Sequence, residues 1–460
     1  MIEWIGDHLA ILMFLVLTFI MFVGYPVAFV LGAVGIIFGY LGVWFGVFNM
    51  VQFANLLPRI YGGGVENQVL VAVPMFIFMG TVLERSGVAE ELLKCLQVLL
   101  RRIPGGLALS VVLLGTIMAA TTGIVGASVV MLTLIALPVM LEKGYSKELS
   151  CGCIAASGTL GILIPPSIML VIMGDLMQIS VGLLFAAAII PGLMLSGVYL
   201  IYIVILASFK PHLAPPLGAH EGPQNASELL RMVVVTFAPP AFLIILVLGS
   251  IFGGWATPTE AGGVGCAGAL LLAWKAGRLN FRSMKEMVEN SAMTCGLVFF
   301  ILFGATLFSY VFRALGGDDL VVEILNHFGI NTGWEVLIFV MALAFFMGFF
   351  FDFLEICLVL LPVFTPILAK STFPGFIDDP KLITLWFAML LAVNLQTAFL
   401  TPPFGFALFY MKGTVPPSIN MGHIYRGIIP FITLQLIAVA LCMYFPELVF
   451  YLPRRWGMLD

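Results

Sequence analysis

Charge is scarce in this chain: Asp, Glu, Lys and Arg make up 10% of its 460 residues, against about a quarter in soluble domains. A soluble fold is therefore excluded, and no nucleic-acid partner is expected. Histidine is limited to five isolated positions (8, 212, 220, 327 and 423), and no His-Glu-x-x-His motif occurs. Gly126-Ala-Ser128 is followed by Val129 rather than the glycine of an intramembrane serine protease. Asp318-Asp319 matches neither a pair of DDxxD boxes nor a GxGD protease motif, and solvation accounts for it. No enzyme is expected. The seven cysteines are scattered through apolar segments, and Cys151-Gly-Cys153 has no His or Cys partner at metal spacing. These read as buried, reduced thiols rather than a zinc site. The opening residues MIEWIGDH lack the basic stretch of a cleavable signal, so the first apolar run is expected to remain as an anchor.

What the chain has is hydrophobicity. Hydrophobic residues make up 62% of it, in recurring runs long enough to cross the ~30 Å core of a lipid bilayer. The net charge of -4 says little, because its placement matters more than its sum. Two Pro-Pro pairs interrupt such runs in similar settings, GTLGILIPPSIMLVIMGD (Gly158 to Asp175) and LQTAFLTPPFGFALFYMKG (Leu395 to Gly413). Proline inside a helix removes a backbone bond and costs about 3 kcal/mol or more. In hydrocarbon the freed groups survive only against protein or a water-filled cavity. A matched pair of broken helices points to a secondary transporter's binding site.

Crossings are expected near 9–24, 26–47, 67–84, 148–176 (broken) and 181–208. A second set is expected near 230–252, 256–275, 291–313, 381–412 (broken) and 428–446. Each set also holds a long apolar stretch, 105–140 and 334–369, interrupted at TTGIVGAS (Thr121 to Ser128) and MGFFFDFLE (Met347 to Glu355). A steeply tilted helix and a re-entrant hairpin both fit such a stretch, and glycine and small polar residues at the midpoint favour the hairpin. Ser128 lies ten residues before Pro138, and Asp352 ten before Pro362, an offset of 224 in both places. The Pro-Pro pairs are offset by 237, and the extra 13 residues fit the loop from Ser371 to Pro380. Amphipathic runs Val88 to Arg102 and Asp319 to Phe328 precede the two hairpins and are expected to lie along an interface. Five crossings per half turn the second half upside down. The expected fold is an all-α polytopic membrane protein, an inverted repeat with two re-entrant helical hairpins and two broken transmembrane helices.

Positive charge supports this topology. With the N-terminus outside, fourteen Lys and Arg fall on the cytoplasmic side and six outside, as the positive-inside rule requires. Both termini are then outside.

Half-helix ends at mid-membrane offer amides to an anion and carbonyls to a cation. The polar candidates at the first break are Thr121, Thr122, Ser128, Ser157 and Thr159; at the second they are Asp352, Glu355, Asn394, Gln396, Thr397 and Thr401. Hydroxyls and carbonyls suit a sodium ion, although serine and threonine also serve simply to glue helices together. Asp352 is read as functional ahead of Glu355, because intramembrane carboxylates are costly. The alternative for both is pairing with backbone donors, or a tip nearer the surface.

GYPVAFVLG near Tyr25, VPMFIFMG near Pro74, ALPVMLEKGYSKELSCGCIAASGTLGILIPPSIML, PTEAGGVGCAGAL near Glu260 and NLQTAFLTPPFGFALFY together resemble the large membrane subunit of tripartite ATP-independent periplasmic (TRAP) transporters. The resemblance covers nearly the whole chain and is nearest the DctM-like branch labelled mannitol/chloroaromatic. It implies a sodium-coupled importer of organic acids in a bacterial inner membrane, fed by a periplasmic substrate-binding protein and paired with a small four-helix membrane subunit. It also implies an elevator. Scaffold residues 1–104 and 209–333 would carry transport-domain halves 105–208 and 334–446, with 447–460 as a periplasmic tail. Substrate would meet Thr121, Thr122, Gly123, Thr159, Pro165, Pro166, Gln396, Thr397, Pro402 and Pro403. Sodium, a coupling ion rather than a resident cofactor, would meet Ser128, Ser157, Gly348, Asp352, Asn394 and Thr401. The first tip departs from the Ser-Gly-Ser-like form of many relatives. The runner-up is a stand-alone sodium/dicarboxylate-type transporter that needs no binding protein; a channel or membrane scaffold comes third.

Overall fold

A computed structural model describes residues 8–122, 125–216, 225–402 and 405–459. Among these residues the chain is helical, with one isolated β-bridge between Phe373 and Ile377. Among the described residues eight helices are long and apolar enough to cross a membrane, nine if one bent pair is counted as a span.

The first half runs α1 (Leu9–Phe22), α2 (Val27–Trp44), short α3 (Met50–Ala54) and α4 (Leu56–Ile60), then α5 (Ala72–Arg85) and α6 (Val88–Leu100). It continues with α7 (Gly106–Thr122), α8 (Val125–Glu142), α9 (Lys147–Thr159), α10 (Ile168–Met177) and α11 (Val181–Phe209). The second half runs α12 (Ala226–Phe252), α13 (Pro258–Lys275), α14 (Phe281–Ala314) and α15 (Gly317–His327). After these come α16 (Gly333–Met347), α17 (Phe353–Lys370), α18 (Pro380–Ala398), α19 (Phe406–Thr414), α20 (Met421–Tyr444) and α21 (Glu447–Arg455).

The amphipathic run after the third crossing bends away: α6 leaves α5 at 60°, where Gly87 adopts a left-handed φ of 80° that only glycine takes readily. Both interrupted stretches fold back on themselves. The Leu107 N–H at the start of α7 donates to the Tyr145 hydroxyl beyond α8 at 3.2 Å. Gly333 at the start of α16 packs so closely on the Thr372 carbonyl that a Cβ would stand 2.6 Å from it. Each hairpin is thus closed at its base. Described helix covers most of TTGIVGAS, with α7 reaching Thr122 and α8 running from Val125. The second interruption, residues 348–352 between α16 and α17, falls inside MGFFFDFLE.

The matching helices of the two halves start in matching ways. Ser146 caps α9 by accepting the Leu149 N–H, and Asp379 caps α18 by accepting the Lys381 N–H; both satisfy donors that a helix start leaves unpaired. Loops sort into two groups by contact, as alternating crossings require. At one end Lys147 Nζ donates to the Ser418 carbonyl, Arg85 pairs with Glu286 and the Ser146 N–H reaches the Leu213 carbonyl. At the other end Thr259 Oγ1 donates to the Gln68 carbonyl and Phe252 packs on Trp456.

Proline pairs alone do not mark breaks. Pro239-Pro240 lies inside α12, which continues through it. The two pairs that do break helices are flanked by glycine, Gly158 and Gly161 in one case and Gly405 in the other.

Candidate functional site

The breaks fall where the Pro-Pro pairs are. Helix α9 gives way to a tight turn at Leu160–Ile162, and Pro165 and Pro166 lie buried before α10 resumes at Ile168. Helix α18 ends at Ala398, and α19 begins only after Gly405, whose φ of 36° is left-handed. Pro402 is half-buried there.

Each hairpin tip packs on the last turn of the broken helix in its own half. A Cβ on Gly348 would stand 2.6 Å from the Ala398 Cβ, so only glycine lets the second tip reach the end of α18. In the first half a Cβ on Gly158 would stand 2.4 Å from Val129 Cγ2, and one on Gly115 would stand 2.7 Å from the Ser157 Cβ. The other contacts cross between halves. Gly126 lies under the Tyr410 ring of α19, 2.7 Å from where its Cβ would be, and α17 packs on α10. Both hairpins and both broken helices therefore form one assembly.

The hydroxyls in this assembly share one geometry. Ser157 Oγ donates to the Cys153 carbonyl at 2.6 Å, Thr159 Oγ1 to Ala156 at 2.9 Å, Thr397 Oγ1 to Asn394 at 2.7 Å and Thr401 Oγ1 to Thr397. A hydroxyl has one proton and two lone pairs. With the proton given to the helix, what remains is an acceptor, suited to a hard cation or to a donor on a substrate.

Asn394 Nδ2 donates to the Met341 carbonyl at 2.8 Å, tying α18 to the second hairpin. Gln396 is fully buried, and neither its amide oxygen nor its nitrogen has a partner. Leaving such groups unpaired costs about 1–3 kcal/mol each, a debt that a substrate or water able to donate and accept would cancel. Asp352 and Glu355 are both engaged with backbone donors, forming a capping box at the start of α17. This is the pairing that the sequence offered as the alternative to an ion site; each carboxylate keeps further lone pairs beyond its backbone contact. Ser128 is buried on α8 and has a bonding partner. The side chains of Thr121 and Thr122, together with Gly123 and Pro403, lie outside the described residues.

Two features escaped sequence reasoning. Ser167 caps α10 and donates its own proton to the Ile162 carbonyl across the break; the Pro-Pro-Ser order was the available signal. Asn67 Nδ2 donates to Asp175 Oδ1, where a lone carboxylate closing an apolar run was the clue. A crevice of about 740 Å³ opens beside Asp175, lined by Gln68, Gln178, Thr259 and Glu260 together with apolar residues such as Val69 and Ile179. It lies at the far end of α10 from the break, so it is separate from the tip assembly. Among the described residues no group of three or more His, Cys, Asp or Glu could hold a metal ion. Cys151 and Cys153 are buried thiols.

Residues 12–448 match the family of the tripartite ATP-independent periplasmic transporter, DctM component. The C4-dicarboxylate TRAP transporter large permease protein DctM of Pseudomonas aeruginosa is 30% identical over 397 residues, 85% of this chain and 88% of that one. The ectoine TRAP transporter large permease protein TeaC of Halomonas elongata is 29% identical, covering 94% and 96%. The isethionate TRAP transporter permease protein DctMQ of Oleidesulfovibrio alaskensis is 28% identical over 86% of this chain but 59% of its own length. Among solved structures, the YdaH transporter of Alcanivorax borkumensis has a similar fold, with a TM-score of 0.62 over 86% of this chain and 89% of that one at 17% identity.

Proposed function

This chain belongs to the DctM family of TRAP transporter membrane components, and on that premise we propose that it imports an organic acid by sodium-coupled alternating access. It is a transporter permease and not an enzyme. The observation that carries the reading is the convergence of two hairpin tips and two broken helices around hydroxyls left only as acceptors. A sodium ion takes oxygen ligands of that kind, and half-helix N-termini favour a carboxylate.

In this reading the hairpins re-enter the membrane from opposite faces, and the fold is an inverted repeat. Residues 105–208 and 334–446 move as one elevator body against a scaffold of 1–104 and 209–333. The charge split of fourteen to six supports an orientation with both termini in the periplasm, the membrane being a bacterial inner membrane. The quoted motifs taken together, the one from Asn394 to Tyr410 among them, support a place in the mannitol/chloroaromatic branch. A periplasmic binding protein delivers the substrate, and a separate four-helix subunit completes the permease. In support of that subunit, this chain matches 59% of the longer DctMQ relative.

The related permeases are named for C4-dicarboxylate, ectoine and isethionate, so the family does not fix the acid. The second reading, a stand-alone transporter, differs in one measurable respect. In proteoliposomes holding this chain and its small partner, substrate loaded on the cognate binding protein should be taken up and free substrate should not. Equal uptake of free substrate would support the stand-alone reading instead.

A further inference from the structure

We infer that Arg313 is a positioning residue of the transport cycle, a latch from the scaffold onto the second hairpin that holds the conformation seen here. The inference rests on the elevator reading above. Arg313 sits in the last turn of α14 and donates through Nη2 to the carbonyl of Pro362, in the middle of α17. That carbonyl is available for a covalent reason. In a helix it would accept the N–H four residues on, but residue 366 is also proline, which has no N–H and whose ring pushes the carbonyl aside. The second proline thus creates the acceptor, and the scaffold supplies the donor.

The surroundings make this contact stand out. Between α1, α14, α15 and the hairpin lies a fissure of about 340 Å³, whose lining is apolar apart from Ser309 and Arg313. An apolar seam imposes little register on two sliding surfaces, whereas a charged donor on a carbonyl does. Arg313 also has a partner that stays behind: its Nε lies 3.5 Å from Asp318 Oδ2 in the first turn of α15. When the hairpin moves, the guanidinium exchanges a two-partner arrangement for Asp318 alone, so its charge is never left unpaired in the seam. Both side chains are about half exposed, so the open latch leaves the guanidinium on Asp318 rather than stranded in the seam.

The test uses the whole transporter with its small subunit, native cysteines replaced, and spin labels at His327→Cys and Asp378→Cys, both exposed. Wild type should show two distances whose balance responds to sodium. Arg313→Met should move that balance away from the present conformation by about tenfold, and Arg313→Lys should restore part of it. Pro366→Ala returns the missing N–H to the Pro362 carbonyl and should act in the same direction with arginine intact. Because both changes remove one interaction, the double variant should shift no further than the larger single shift. Asp318→Asn should leave the present conformation populated.

Two populations in the wild type that Arg313→Met leaves unchanged would overturn the latch while sparing the elevator. Additive shifts from Arg313→Met and Pro366→Ala would overturn it as well, since the two would then act separately. One invariant distance in every variant, with or without sodium, would remove the elevator reading and the latch together.

Discussion

Glu355 Oε2 accepts the backbone N–H of Asp352 at 3.2 Å, while Asp352 Oδ1 accepts the N–H of Phe353 at 2.7 Å. Two carboxylates within an apolar hairpin are thereby fixed at a helix start, where unpaired amides and the positive end of the helix dipole stabilise them. Charge and capping can be separated by substitution. Asparagine is as good an N-cap as aspartate, so Asp352→Asn keeps the hairpin's start and removes only its charge.

The first prediction follows from that separation. Asp352→Asn should accumulate in the membrane like the wild type yet show weakened sodium activation of uptake. Asp352→Ala should lose both, with stability falling by about 1 kcal/mol. Unchanged sodium activation in the asparagine variant, at normal abundance, would return Asp352 to a purely structural role.

Thr401→Val tests the acceptor geometry. Its hydroxyl already donates to the Thr397 carbonyl, so valine removes the outward lone pairs with little change of shape. The sodium concentration for half-maximal uptake should rise about tenfold, the effect of losing roughly 1.4 kcal/mol of binding. An unaltered sodium response would mean that Thr401 serves packing alone.

Gly348→Ala should abolish most uptake for a steric reason. The backbone there is ordinary right-handed helix, φ -60° and ψ -15°, so alanine is not strained by conformation. The obstacle is Ala398, whose Cβ would be 2.6 Å and whose backbone Cα 2.8 Å away, so the tip and α18 would have to part. Uptake by Gly348→Ala close to wild type, measured in vesicles at normal abundance, would show that the tip need not approach α18.

Gln396 separates a site residue from packing glue. Its amide is buried and unbonded at both ends, so Gln396→Leu should raise the thermal midpoint of the purified transporter while lowering uptake, the usual trade between stability and a working site. A lowered midpoint would show that the amide is satisfied in the resting protein and contributes to its packing.

Much of the fold was legible in the sequence because membrane crossings are set by long-range composition. The two broken helices were visible from Pro165-Pro166 and Pro402-Pro403, but Pro239-Pro240 shows the limit of that signal: α12 tolerates the same dipeptide. Helix continuity depends on whether neighbours receive the freed carbonyls, which local sequence does not record. The Asp352-Phe-Leu-Glu355 spacing carries a capping-box signature, which the cost of intramembrane charge overshadows when the segment is taken alone. Asn67 with Asp175, and Arg313 with Pro362, join segments 108 and 49 residues apart. Nothing in either segment alone announces its partner.

The Pro-Pro breaks allow a controlled comparison. Ala-Ala at Pro165-Pro166 or Pro402-Pro403 should favour continuous helix, keep the protein folded and severely reduce uptake. Ala-Ala at Pro239-Pro240 should leave uptake close to normal, because that helix is already continuous. Near-normal uptake by either of the first two variants would mean that the breaks do not build the site.

In the function proposed above, sodium drives this chain's transport. The most direct measurement is uptake of binding-protein-delivered substrate into proteoliposomes holding the permease and its small subunit, with sodium gradients imposed in either direction. Inward sodium should produce accumulation above the external concentration, and an outward gradient should abolish it. Accumulation that is the same in both directions, or with potassium in place of sodium, would contradict the account.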